Sequence, residues 1–132
     1  MIDSSRTLQK ISHSRNRILV VDDHDGSAKM TAWTLEELGY EVKIARNGKE
    51  TLDIVRTYLP DTILLDLGLP IMSGYEVCQI LRKDPRLNKT VIIAQTGWGE
   101  PEHRRRTKEA GFDHHLVKPV DMWELQQLLP SA

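Results

Sequence analysis

Cysteine is nearly missing from this chain: of 132 residues only Cys78 carries a thiol. No disulfide can form within one copy, and a cysteine-based zinc site is excluded, so a reducing compartment is the simpler setting. Long apolar runs are missing too. Nothing approaches the ~18 residues of a membrane span, and Met1 to Arg17 lacks the apolar centre of a secretory signal. Net charge is also scarce, 18 basic against 19 acidic residues, which leaves no overall field for nucleic acid or an acidic lipid surface. Phosphate-cradling motifs are absent as well: no Gly-x-Gly-x-x-Gly follows the first apolar run, and no Gly-Lys-Ser/Thr loop occurs. Dinucleotide and P-loop nucleotide sites therefore lack their backbone cradles. A hydrophobic content of 39% with 28% charged residues excludes wholesale disorder, and the length suits a single domain with its own core.

What is present is an alternation. Residues 1–17 read as a polar tail or linker, with Ser4, Ser5, Ser12 and Ser14 among scattered charges. From Ile18 onward, short β-branched runs alternate with stretches of helical spacing. The runs are Ile18 to Val21, Val42 to Ala45, Thr62 to Leu65, Val91 to Ala94 and His115 to Val117. The first helical stretch carries Ala28, Met30, Ala32, Trp33, Leu35 and Leu38 and stops at Gly39, a natural C′ residue. The second opens at Asn47 or Gly48, carries Leu52, Ile54, Val55 and Leu59, and is closed by Pro60. Ser73 with Glu76 predicts a capping box ahead of a third helix burying Val77, Ile80 and Leu81. Pro101 opens a polar helix running to Ala110, and Asp121 caps a last one with Met122, Leu125, Leu128 and Leu129. Five strand–helix pairs predict an α/β domain over residues 18–130. Its expected form is a doubly wound, five-stranded parallel sheet with helices on both faces, a flavodoxin-like (βα)5 fold.

In such sheets, chemistry gathers at the carboxyl ends of the strands. Four of the five expected ends carry capable residues: Asp22 and Asp23, Asp66, Thr96, and Lys118. One acid after one strand is usually a turn or a cap, but four coincident ends form a set. Three carboxylates in one cleft repel each other, and a divalent cation relieves the repulsion. All-oxygen ligation suits Mg²⁺. One carboxylate can then attack phosphorus, with Lys118 and Thr96 directed at the oxygens of the transferring group. Asp66, at the end of the most apolar strand, is the candidate nucleophile. No Asp-x-Asp phosphatase pair is present, because Gly68 stands two places after Asp66.

Val20-Val21-Asp22-Asp23, Leu64-Leu65-Asp66-Leu67 followed by Pro70 and Gly74, Thr96-Gly97, and Lys118-Pro119 form an ordered series. With it the chain resembles the receiver domain of two-component response regulators. The resemblance implies that Asp66 is the phosphoacceptor and that Asp23, Asp66 and the Gly68 carbonyl coordinate Mg²⁺, with Asp22 acting on the metal through water. It implies that Thr96 and Lys118 bind the phosphoryl group and report it. It further implies a cytoplasmic signalling switch that catalyses only its own phosphorylation and dephosphorylation, charged by a sensor histidine kinase or phosphotransfer protein and read by a downstream effector protein. A homodimer through the last two helices is left open. The wording around Asp66, Thr96 and Lys118 is similar to free-standing receivers and to the C-terminal receivers of hybrid histidine kinases. With no DNA-binding segment before Ala132, a transcription factor would require a longer chain.

One position departs from the family. The aromatic residue usual three places before the lysine is His115 here, so the switch role carried by Thr96 and His115 is expected to respond to pH. Other features have plainer readings. Arg104-Arg105-Arg106 lies among Glu100, Glu102 and Glu109 and reads as a solvated helix face. His114 and His115, adjacent in a strand, point to opposite sides and do not make a metal pair. His24, just after the acid pair, reads as a loop residue with contact to the site edge as the alternative, Cys78 as a buried inert thiol, and Trp98 as lining the mouth of the site.

Overall fold

A computed structural model describes residues 16–97 and 101–130. Five strands are joined by five helices: β1 (Arg17–Val21), α1 (Asp25–Glu37), β2 (Glu41–Ala45), α2 (Gly48–Tyr58), β3 (Thr62–Asp66), α3 (Gly74–Arg82), β4 (Val91–Thr96), α4 (Pro101–Ala110), β5 (His114–Val117) and α5 (Met122–Leu128). All strand pairings are parallel, in the order β2-β1-β3-β4-β5. The expected doubly wound, flavodoxin-like topology is the one observed.

The period-two alternation of the strands sorts side chains between two cores. Leu19, Val21, Ile63, Leu65, Ile92 and Ala94 point to one face and pack with Val55 of α2, Val77, Cys78 and Leu81 of α3, and Ala110 of α4. Ile18, Val20, Leu64 and Ile93 point to the other, against Ala28 and Leu35 of α1 and Leu125 of α5. β3, buried at every position, lies at the centre of the sheet.

Local signals explain most boundaries. At Gly39 (φ 101°) α1 ends in a paired motif, with Gly39 N–H donating to Glu36 O and Tyr40 N–H to Leu35 O. The Ser73–Glu76 capping box is formed in both directions. Several expectations need correction; β2 and β5 open one residue early, at Glu41 and His114. β1 opens at Arg17, one residue ahead of the expected start, and Asn16 before it is buried. Leu59 is not part of α2; it follows the helix at φ 34° and is exposed, while Thr51 and Tyr58 fill the buried face. Ile80 is exposed, while Cys78 is buried as expected. The inward stripe of α3 runs through Gly74, Val77, Cys78 and Leu81, the i, i+3, i+4, i+7 series, and Ile80 falls off its edge.

Arg82, at the last turn of α3, fastens the opposite end of the sheet from the strand carboxyl ends. Its guanidinium donates to the carbonyls of Gly111, Leu87 and Thr90 and to Asp113 Oδ2, which also accepts from Ile92 N–H. Removing it strands several acceptors at once. Arg82→Ala is expected to destabilise the domain by on the order of 3 kcal/mol in denaturant unfolding, and an unchanged midpoint would contradict this role.

Burial, with a smaller contribution from nearby Asp113, pushes the Cys78 thiol up from 9.0 to about 12 despite the opposing pull of Arg82. The native thiol is expected to resist thiol reagents and to react rapidly once the chain is unfolded. Because the unfolded thiol ionises first, its contribution to stability is intact below pH 9.0 and is lost as pH rises toward about 12. Native-state labelling at the unfolded rate would contradict this.

Candidate functional site

The sheet delivers Asp22, Asp23, Asp66, Thr96 and Lys118 to its carboxyl edge. Asp22 follows β1 directly and is buried, with Asp23 beside it in solvent. Asp66 is the last residue of β3 and Thr96 the last of β4, both buried. Lys118 follows β5, and its N–H donates to the Thr96 carbonyl at 2.7 Å. Register brings the β4 end alongside the acid, since Asp66 pairs with Gln95, the neighbour of Thr96.

Each oxygen of Asp66 has one donor. Lys118 Nζ donates to Oδ2 at 2.6 Å, and the N–H of Gly68, in the loop after β3, donates to Oδ1 at 2.9 Å. The same ammonium lies 4.0 Å from Asp22 Oδ2. Lys118 thus spans 52 residues of sequence to stand between two buried carboxylates. A cavity of about 430 Å³ opens beside it, lined by Ser27, Met30 and Thr31 of α1 with Gln95, Pro119 and Val120.

His24, in the loop between β1 and α1, touches the edge of the site: its Nδ1 lies 3.4 Å from Asp22 Oδ1 and 3.3 Å from Asp23 Oδ1. The hint was its place directly after the acid pair and before α1, where an extended residue turns its side chain back. His115 lies farther along β5 and faces α4, its Nδ1 3.4 Å from Thr107 Oγ1. His114 is exposed. Among the described residues, the group able to hold a cation is Asp22, Asp23, His24 and Asp66. Trp98 lies outside the described residues.

With this geometry in view, the profile of the response regulator receiver domain matches residues 18–130. The chain belongs to that family. It is 37% identical over 122 residues to the probable transcriptional regulator ycf27 of Porphyra purpurea, a match covering 92% of this chain and 49% of that protein. The chain thus spans about half the length of the first curated relatives it matches. Against the polar-differentiation response regulator DivK of Brucella anthropi it is 33% identical, covering 80% of this chain and 85% of DivK. The receiver domain of the sensor histidine kinase PA1611 from Pseudomonas aeruginosa superposes with a TM-score of 0.78 at 28% identity, covering 86% of this chain and 93% of that one. That structure holds a magnesium ion coordinated in its active-site cleft. Among the described residues, no helix of this receiver is long and apolar enough to cross a membrane.

The receiver's cleft is closed from below by Gly74 at the start of α3. A Cβ there would stand 2.5 Å from the Asp66 carbonyl oxygen and 2.8 Å from Leu67 Cα, both backbone atoms that cannot swing aside. Gly74→Ala is expected to cost about 1–3 kcal/mol, read as a lowered Tm, by pushing α3 off the β3 end. A variant as stable as the parent would refute that close packing.

Proposed function

We propose that this receiver accepts a phosphoryl group on Asp66 from a phosphohistidine of a sensor histidine kinase or phosphotransfer protein, in a Mg²⁺-dependent reaction, and passes the change to a downstream protein. An Asp66 oxygen forms the new P–O bond while the P–N bond to the donor imidazole breaks, and the imidazole nitrogen keeps the electron pair. The observation that carries this reading is the Lys118 ammonium, 2.6 Å from Asp66 and 4.0 Å from Asp22. A fixed cation at the carboxylate is suited to following the negative charge of the incoming group.

The cleft also fits a divalent ion on its own chemistry. Asp22, Asp23 and Asp66 bring three carboxylates together, and Lys118 offsets one. A doubly charged, oxygen-seeking ion balances the other two. Asp23, Asp66 and the Gly68 carbonyl are the residues we assign to Mg²⁺, with Asp22 acting through water. When bound, Mg²⁺ would neutralise charge on the phosphoryl oxygens. Thr96, buried at the end of β4, is assigned the hydroxyl that binds the same oxygens, and with His115 it forms the switch toward α4.

Catalysis in this reading is directed at the chain itself. The receiver unit runs from Asn16, buried ahead of β1, to residue 130, with the segment before it a tail or linker. The single buried thiol suits a cytoplasmic setting.

Intact-protein mass after incubation with a small-molecule phosphodonor tests the proposal. A single base-labile phosphoryl addition is expected, requiring Mg²⁺ and absent from Asp66→Asn. No addition, under conditions that phosphorylate another receiver, would favour a domain that only docks partners. Saturating Mg²⁺ at about 100 times its Kd should stabilise the parent by ~2.7 kcal/mol, and Asp23→Ala should lose most of that gain. An undiminished gain in that variant would contradict the metal assignment.

A further inference from the structure

One side chain at the cleft has no part in the reading above. His24 precedes α1 with an extended backbone, φ −96° and ψ 106°, and its N–H donates to Asp22 Oδ1 at 3.0 Å. That bond brings the ring back over the acid pair, with Nδ1 3.4 Å from Asp22 Oδ1 and 3.3 Å from Asp23 Oδ1. One ligand atom from each of Asp22, Asp23, His24 and Asp66 lies within 4.8 Å of all the others. Two ligands bonded to one ion at ~2.1 Å stand about 3.0 Å apart in an octahedron and about 3.4 Å apart in a tetrahedron. The separations around His24 are of that size. Lys118 does not compete for this place, since it contacts the Oδ2 atoms of Asp66 and Asp22 while His24 addresses Oδ1 of Asp22 and Asp23. The ring is 73% exposed, so no packing holds it away from an ion.

The donor matters because divalent ions differ in what they take. Mg²⁺ seeks oxygen, demands near-ideal octahedral geometry and keeps several waters, so a neighbouring nitrogen adds little. Imidazole suits the later first-row ions, whose affinity for nitrogen rises along the series from manganese to copper. We infer that His24, through Nδ1, is a metal-selectivity residue of this cleft: it supplies a nitrogen ligand to a divalent transition ion and none to Mg²⁺. The inference rests on the proposed reading of the cleft as a cation site and adds to it a second class of ion, taken by His24 with the acid pair beside it. The rival role for the ring is that of a simple counter-charge to Asp22 and Asp23, which would act on all divalent ions alike.

Calorimetric titration of the full chain with Co²⁺ and with Mg²⁺ separates the two roles. His24→Ala is expected to weaken Co²⁺ binding by at least about tenfold, a loss that even a residue supporting a metal ligand commonly causes, and to leave Mg²⁺ within about twofold. His24→Asn removes the imidazole, puts a residue favoured at helix N-caps ahead of α1, and should follow the alanine variant for Co²⁺. The Co²⁺-loaded parent should show a paramagnetically shifted, exchangeable imidazole N–H resonance that disappears in both variants. Equal losses for the two ions would overturn the inference in favour of the counter-charge. Unchanged Co²⁺ affinity, or a parent that does not bind Co²⁺, would overturn it as well. The phosphoacceptor reading fails separately, if the parent takes no Mg²⁺-dependent phosphoryl group, whatever the Co²⁺ result.

Discussion

Three carboxylates held at one edge of a sheet, with a single ammonium among them, form the constraint on which the rest of this receiver depends. Asp22 and Asp66 are both buried, and removing an ionised carboxylate from water is costly unless it is paired and hydrogen-bonded. Each Asp66 oxygen is satisfied, one by Lys118 and one by the Gly68 N–H. Asp22 accepts from His24 N–H and faces Lys118 at a longer distance. The cleft therefore retains negative charge beyond what its own cation offsets. That excess suits a divalent ion, which would in turn offset the negative charge of an incoming phosphoryl group.

Stability and chemistry are kept at opposite ends of the same sheet. The parallel order β2-β1-β3-β4-β5 sends every carboxyl end to one edge and places the buried β3 at the centre, so Asp66 emerges between the β1 and β4 ends. Asp66 and Thr96 then arrive from neighbouring strands, and the backbone bond from Lys118 to Thr96 ties in the fifth. At the other end, Arg82 gathers three carbonyls and Asp113, joining α3, the α3–β4 connection and the approach to β5. Gly74 stands at the junction, and its missing side chain lets α3 start against the Asp66 backbone.

Much of this was legible in the residues alone. β-branched runs ending in Asp, Thr or Lys mark buried strands and their carboxyl ends, because a fully buried strand needs no polar face. Gly39 and the Ser73–Glu76 box are local devices that act through their immediate neighbours, so they read directly. What could not be read depends on three-dimensional closure. Ile80 lies at the edge of the apolar stripe of α3, and only the docking angle of that helix decides that it faces out. Arg82 carries no motif in the sequence, and its partners lie up to 31 residues away. The contact of His24 with the acid pair depends on a backbone turn that its residue type does not announce.

Mg²⁺ affinity of Lys118→Ala, measured by titration calorimetry beside the parent, tests the charge balance most directly. Lys118 Nζ is 2.6 Å from Asp66 Oδ2 and 4.0 Å from Asp22 Oδ2, so ammonium and metal draw on the same carboxylates. If the excess negative charge of the cleft is what attracts the ion, removing the ammonium strengthens Mg²⁺ binding. Weaker binding in a folded Lys118→Ala variant would contradict that account.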